Sequence, residues 1–172
     1  CGLMYANPQT DNVTGVEEVY NKLSGGTHEA AFEEALKDFT PEKHQYMRKQ
    51  FLQLKDYNRI IDFVDKPNKG LFMEIGSYAG IFLNEAKKKG WKVLGIEPLL
   101  LPAYYSEKIG VPVLREYFDD HTKIDDNSVD VVVATHVIEH VPDPSAFVAK
   151  ARRVLTKGGK LILETPTYDS FF

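Results

Sequence analysis

Glu74, Gly76, Gly80 and Glu97 are the residues whose types and spacing can do chemistry. They fall within Leu-Phe-Met-Glu-Ile-Gly-Ser-Tyr-Ala-Gly at 71–80 and Ile-Phe-Leu-Asn-Glu-Ala-Lys-Lys-Lys-Gly-Trp-Lys-Val-Leu-Gly-Ile-Glu-Pro at 81–98. This stretch reads as strand, glycine turn, helix and second strand, with Glu97 ending the second strand about 20 residues past the turn. Glycines let a backbone approach a ligand, and a carboxylate so placed accepts from the two vicinal hydroxyls of a ribose. A nucleoside-containing cofactor is the expectation. The turn is Glu74-x-Gly76-x-x-x-Gly80, not the three-glycine arrangement that seats a pyrophosphate on a helix N-terminus. Ser77, Tyr78 and Ala79 fill it, and the carboxylate of Glu74 repels a pyrophosphate but suits an ammonium. Spacing and carboxylate together disfavour an NAD-dependent oxidoreductase.

A second chemical stretch is Asp-Asn-Ser-Val-Asp-Val-Val-Val-Ala-Thr-His-Val-Ile-Glu-His-Val-Pro-Asp-Pro at 126–144. Thr135 and His136 end an apolar strand, and in open α/β sheets the ligand lies beyond such carboxyl ends. In a helical loop, His136, Glu139 and His140 share one face. Three readings stand. A histidine acts as general base on an acceptor hydroxyl; the three residues hold a divalent cation; or Glu139 and His140 brace the loop while His136 lines the pocket through its backbone.

The turn resembles motif I of the class I S-adenosylmethionine (SAM)-dependent methyltransferases, with Gly95-Ile96-Glu97-Pro98 as the ribose-binding motif. The 126–144 stretch resembles motif IV of the small-molecule group that includes the ubiquinone-pathway O-methyltransferases, whose Glu-His-Val-Pro-Asp-Pro hallmark stands here at 139–144. The match spans about residues 70–170. It implies a Rossmann-like three-layer sandwich with a mostly parallel sheet, SAM as cofactor and S-adenosylhomocysteine as product. It implies cofactor contacts at Glu74, Gly76, Ser77, Tyr78, Gly80, Glu97, Pro98, Thr135 and His136, and it directs catalysis to His136 and His140. Some relatives place a metal at the matching loop, but with Glu where this chain has His136, so no metal is expected. The adenine pocket is expected from Glu116-Tyr117-Phe118-Asp119-Asp120, with Phe118 against the ring and Asp119 accepting from the amino group. The alternative for Asp119 and Asp120 is a solvated loop. Tyr46, Arg48 and Tyr57 form either a lid over the cofactor or an ordinary helix surface. Thr165-Pro166-Thr167-Tyr168 resembles the relatives' Glu-Thr-Pro-Asn segment and faces the acceptor pocket.

These residues need elements to position them. Strands are predicted near 71–75, 92–96, 111–114, 129–134 and 159–164, and helices near 79–89, 102–108 and 144–155. Asp143-Pro144 supplies a cap and a first-turn proline, and Lys157-Gly158-Gly159 reads as a turn into the fifth strand. Alternation with apolar strand runs argues for an α/β protein with a parallel sheet covered on both faces. Ahead of it, a long amphipathic helix is predicted over about 41–64, with helices near 16–23 and 28–39. The organisation expected is an N-terminal extension at 1–40 and a SAM-binding domain at 41–172.

The chain has 172 residues, 43% apolar and 27% charged, with a net charge of −4. Such a balance gives no phosphate-tracking surface, so no nucleic-acid partner is expected. No run reaches the ~18 apolar residues of a membrane span, and no basic-then-apolar stretch suggests a signal peptide. With one cysteine, these features lead to the expectation of a cytoplasmic protein without membrane association. The segment from Cys1 to Pro8 resembles the tail of a zinc knuckle that precedes some bacterial relatives, but one cysteine makes no structural zinc site. The first residue is not Met, and the family fold adds a sixth and seventh strand that are absent here. The expectations are a chain continuing in the natural protein, or a homo-oligomer covering the fifth-strand edge. The function expected is methyl transfer to a small-molecule acceptor. The alternative is a non-catalytic SAM- or nucleoside-binding module, or an inactive methyltransferase fragment.

Overall fold

Apolar runs bounded by turn residues produce the sheet. Val129–Thr135 reads Val-Asp-Val-Val-Val-Ala-Thr and is buried at every position except Asp130. Burial on both faces is what a central parallel strand requires. The computed structural model describes residues 57–166, together with Thr40 and Lys49. The helices predicted before residue 57, Tyr46, Arg48, the Cys1–Pro8 segment, Thr167 and Tyr168 lie outside the described residues. The chain divides into two units, Cys1–Gln50 and Phe51–Phe172, and the architecture below belongs to the second.

The element order is α1 (Tyr57–Val64), β1 (Leu71–Ile75), α2 (Ile81–Lys88), β2 (Lys92–Ile96), α3 (Leu100–Lys108), β3 (Val113–Leu114), β4 (Val129–Thr135), a 3-10 turn (Ile138–His140), α4 (Pro144–Val154) and β5 (Leu155–Glu164). The strands form one sheet in the order β3-β2-β1-β4-β5, and every pairing is parallel. Register brings the strand ends level: Ile75 pairs with Ile96 on one side and Ala134 on the other, and Thr135 pairs with Glu164. The strand order reverses between β1 and β4, which places the crevice for a ligand beyond their carboxyl ends.

One face of the sheet is covered by α1 and α2, through Ile61, Phe72, Phe82, Leu83, Trp91 and Val133. The other is covered by α4, through Met73, Ile75, Val132, Phe147, Ala151 and Val154. The result is the expected three-layer α/β sandwich on a parallel sheet. At the opposite end, Asp130 fastens β1 to β4: Oδ2 accepts from Leu71 N–H at 2.9 Å and Oδ1 pairs with Lys66. Asp143 caps α4 as expected, its Oδ1 accepting from Ser145 and Ala146 N–H at 2.9 Å each, with Pro144 in the first turn.

Two boundaries differ from the sequence reading. The third strand is only Val113–Leu114, because Val111 turns into the core and the ladder opens with Gly95 N–H donating to Pro112 O. The fifth begins at Leu155, directly after α4, because Leu155 already pairs with Val129. Lys157-Gly158-Gly159 is therefore an irregularity inside β5, where the register shifts between Val129 and Val131, rather than a turn ahead of it. Among the described residues no helix is long and apolar enough to cross a membrane.

Candidate functional site

The turn after β1 is built from left-handed backbone. Gly76 has φ +71° and Gly80 φ +68°, with Tyr78 between them at +47°. A Cβ on Gly76 would lie 2.6 Å from Val137 Cγ2; one on Gly80 would collide with Ser106 Oγ and lie 3.2 Å from Val111 Cβ. Both positions thus demand glycine twice, for conformation and for room. Gly76 and Ser77 N–H donate to Ile96 O at 2.8 and 3.2 Å, pinning the turn to β2. Gly95 permits that approach, since a Cβ there would meet Ser77 Cβ at 3.0 Å.

Over this turn lies a cavity of about 230 Å³ lined by Glu74, Gly76, Ser77, Tyr78 and Thr135, with Tyr57 and Phe82 as its aromatic wall. Small-molecule sites usually span about 300–1,000 Å³, so this cavity accommodates part of such a ligand. Glu74 is 3% exposed and Ser77 4%. Ser77 Oγ is buried against Gly95 and makes no hydrogen bond among the described residues. Tyr57 stacks on Phe82 with centroids 4.3 Å apart. Burial, then the charges of Glu74 and Glu164, push its phenol above the ordinary tyrosine value. A larger depression of about 600 Å³, lined by Pro67, Lys69, Gly90 and Asp130, is shallow and lies at the amino ends of the strands. Ligands in open α/β sheets bind at the other end, where the smaller cavity is.

Glu97 sits behind the turn rather than in the cavity. Its Oε2 accepts from Tyr78 N–H at 2.9 Å and its Oε1 from Leu99 N–H at 3.0 Å. Burial raises its pKa, and these two backbone bonds lower it in part. Each oxygen keeps a lone pair for a hydroxyl donor. Pro98, half-buried, follows and leads into α3.

Phe118 and Asp119 lie in the loop after β3. Phe118 packs edge-on against Phe147 of α4, centroids 5.5 Å apart. Asp119 is exposed, and its Oδ1 accepts from His121 N–H at 2.8 Å. Beyond β4, His136 holds φ +56°. Its Nδ1 lies 3.5 Å from Glu139 Oε1 and its Nε2 3.6 Å from Glu164 Oε1, ion-pair rather than hydrogen-bond separations. Thr165 Oγ1 donates to Glu139 Oε2 at 3.0 Å. His140 is exposed, and among the described residues its imidazole meets no ion-pair partner. The loop forms one 3-10 turn, Ile138–His140, so His136, Glu139 and His140 do not converge. Among the described residues no group of three His, Cys, Asp or Glu side chains is placed to hold a metal. Glu164, from a distant strand, joins His136 instead. No local sequence signal marks it.

The model of a methyltransferase domain matches residues 43–171. The chain belongs to that family. Among curated proteins it is similar to the ubiquinone biosynthesis O-methyltransferase of Sodalis glossinidius, 27% identical over 61% of this chain and 46% of that protein. The enzyme of the same description from Paramagnetospirillum magneticum is 30% identical over 70% of this chain and 49% of its own length. The chain thus spans about half the length of these relatives. Among solved structures it is similar to a SAM-dependent methyltransferase of Thermotoga maritima, described as a possible histamine N-methyltransferase. That protein is 27% identical with a TM-score of 0.56, over 77% of this chain and 58% of that one. The geranyl diphosphate C-methyltransferase of Streptomyces coelicolor, solved with Mg²⁺, geranyl diphosphate and S-adenosylhomocysteine, shares the fold. It is 16% identical with a TM-score of 0.60, over 66% of this chain and 46% of that one. This methyltransferase-family domain carries residues that fit SAM: a buried carboxylate in the cavity, a glycine cradle beside it, and a second carboxylate with spare acceptor capacity behind the turn.

Proposed function

We propose that the chain is the cofactor-binding domain of a methyltransferase that moves the methyl group of SAM to a small-molecule acceptor and releases S-adenosylhomocysteine. The observation that carries this reading is Glu74, 3% exposed in the wall of a cavity at the carboxyl ends of β1 and β4. A buried carboxylate among an aromatic wall and two hydroxyl side chains suits the ammonium of an amino-acid moiety. In this reading Gly76, Ser77, Tyr78 and Gly80 shape the seat, Glu97 and Pro98 meet the ribose, and Phe118 and Asp119 meet the adenine. Thr135 closes the cavity floor, and Tyr57 takes the lid position. The sulfonium of SAM supplies a methyl group whose departure leaves a neutral thioether, so the protein's task is alignment and exclusion of water.

His136 stands at the acceptor side. With a hydroxyl acceptor bound, the imidazole would take the proton that the hydroxyl gives up on methylation; its two nitrogens lie 3.5 and 3.6 Å from Glu139 and Glu164. His140 has no such company, so we assign the base to His136 and leave His140 with the loop. The O-methyltransferase relatives support a hydroxyl acceptor, and the net charge of −4 supports a small molecule over nucleic acid. The cytoplasm, without membrane association, is the setting that fits a single cysteine. A second copy or further chain over the outer edge of β5 fits an edge strand on which Leu163 is 38% exposed.

A second reading, a SAM- or nucleoside-binding module without turnover, is supported by the openness of the acceptor side, where His136 and Glu164 are nearly half exposed. Titration calorimetry with SAM, S-adenosylhomocysteine and NAD on one preparation, followed by turnover on a panel of hydroxyl acceptors, separates the readings. SAM-type binding with turnover is expected. Binding without turnover on any acceptor favours the second reading, and binding of NAD alone overturns both. Unchanged turnover in His136→Ala would remove the base from the mechanism.

A further inference from the structure

Lys150 is 5% exposed on α4, a position lysine rarely takes unless its charge is paired. Its Nζ donates to Thr122 O at 3.0 Å and stands 4.8 Å from the centroid of the Phe118 ring. We propose that Lys150 is a positioning residue for the adenine end of the cofactor site, fastening the turn that carries Phe118 and Asp119 to α4. The proposal rests on the cofactor reading above.

The turn is closed on itself by Thr122, which is 4% exposed. Its hydroxyl donates to Tyr117 O at 2.6 Å and accepts from Asp119 N–H at 3.0 Å, while its own N–H donates to Asp119 O at 3.1 Å. Those bonds fix the shape of the turn but not its place against the domain. Place is set by two residues one helical turn apart on α4: Phe147 meets the edge of Phe118, and Lys150 holds the carbonyl of Thr122 and the face of the same ring. An apolar side chain at 150 would fill the space equally well and avoid burying a charge. The burial cost is visible in the amine itself, whose pKa is lowered chiefly by desolvation and further by Arg153, against the charges of Asp119, Asp120 and Glu116. What the ammonium adds over packing is direction: it fixes one carbonyl, and through Thr122 the backbone of Asp119.

The test compares Kd for S-adenosylhomocysteine and for S-inosylhomocysteine, which carries a carbonyl where adenine has its amino group, by calorimetry on wild type, Lys150→Met and Thr122→Val. Wild type should prefer the adenine ligand. In Lys150→Met that preference should shrink by about tenfold, the loss expected when a charged hydrogen bond holding the reader is removed, and in Thr122→Val, which loses only neutral hydrogen bonds within the turn, by about threefold. A Lys150→Met protein with a lower melting temperature but an unchanged preference overturns the proposal, since the lysine is then structural only. If Lys150→Met does not fold, Lys150→Gln, uncharged and one bond shorter, takes its place, and an unchanged preference there overturns the proposal equally. A wild type that binds both ligands alike also overturns it while leaving the cofactor reading intact, whereas a wild type that binds neither ligand removes the cofactor reading first.

Discussion

Replacing Gly80 by alanine tests whether the turn under the cavity is held by sterics as well as by backbone conformation. Gly80 has φ +68° and ψ +16° at the start of α2. An L side chain in the left-handed region costs about 1–2 kcal/mol. The added methyl would also collide with Ser106 Oγ and stand 3.1 Å from Ser106 Cβ and 3.2 Å from Val111 Cβ. Ser106 and Val111 are fully buried, and Ser106 Oγ donates to Val111 O at 3.1 Å, so neither yields freely. Overpacking of this kind costs about 1–3 kcal/mol. Gly80→Ala should therefore lose about 2–5 kcal/mol, a large part of the stability of an ordinary domain. Gly90→Ala is the control for strain alone: φ is +90°, but the nearest atom a Cβ would meet is Lys69 Cδ at 3.8 Å, so about 1–2 kcal/mol is expected. Urea unfolding followed through Trp91, the chain's one tryptophan and 3% exposed, gives both numbers. Repeating Gly80→Ala in a Ser106→Ala background removes the colliding oxygen, and the increment should fall by about 1 kcal/mol or more. An increment equal in both backgrounds would refute the steric argument.

Gly76→Ala should act on binding, because its Cβ would lie 2.6 Å from Cγ2 of Val137, whose β-branched side chain cannot easily turn away. Calorimetry should show S-adenosylhomocysteine weakened about tenfold or more, and undiminished affinity would count against the cradle. Tyr57 gives a pH signature. Its folded pKa lies above the ordinary 10.0, through burial and the charges of Glu74 and Glu164, so the protonated phenol is favoured by folding. The stability this contributes is fully present below the unfolded pKa and is lost as pH rises toward the folded one. Urea midpoints measured between about pH 9 and pH 11 should fall less steeply in Tyr57→Phe than in wild type; parallel slopes would show that the phenol does not titrate with unfolding.

Legibility in the sequence followed distance along the chain. β1, β2 and β4 were readable nearly residue by residue, because strands buried on both faces are largely apolar runs between turn residues. The start of α4 was readable because Asp143 and Pro144 act within one turn. The seat of the site was legible for the same reason, since Glu74, Gly76, Gly80 and Glu97 belong to one strand–turn–helix–strand unit. Contacts across the fold were not legible. Glu164 reaches His136 only because β5 pairs with β4 at Thr135. Helical spacing suggested that His136, Glu139 and His140 share a face, but a single 3-10 turn does not bring them together. Lys150 carries no local signal; its partner, the carbonyl of Thr122, comes from the loop after β3.

Two strained residues mark the ends of the site. Among the described residues, Tyr78, Asn127 and His136 have positive φ without being glycine. Asn127 is a residue that tolerates this conformation; a tyrosine and a histidine are costlier there, by about 1–2 kcal/mol each. Each uses its backbone N–H as a donor. Tyr78 N–H reaches the carboxylate of Glu97 at 2.9 Å, and His136 N–H reaches Glu164 O at 2.8 Å. Tyr78 lies within the turn after β1 and His136 follows the last residue of β4, so both lie at the carboxyl ends of the two strands that flank the switch point. The strain at Tyr78 is thus sustained by the residue assigned to the ribose, and the strain at His136 by the strand that supplies its acidic neighbour. Strain persists only where surrounding bonds over-determine it, and here one bond comes from Glu97, proposed to meet the ribose, and the other from the backbone of Glu164. On this argument the proposed cofactor and acceptor ends are built to hold their shape before anything binds, as a reaction governed by alignment requires.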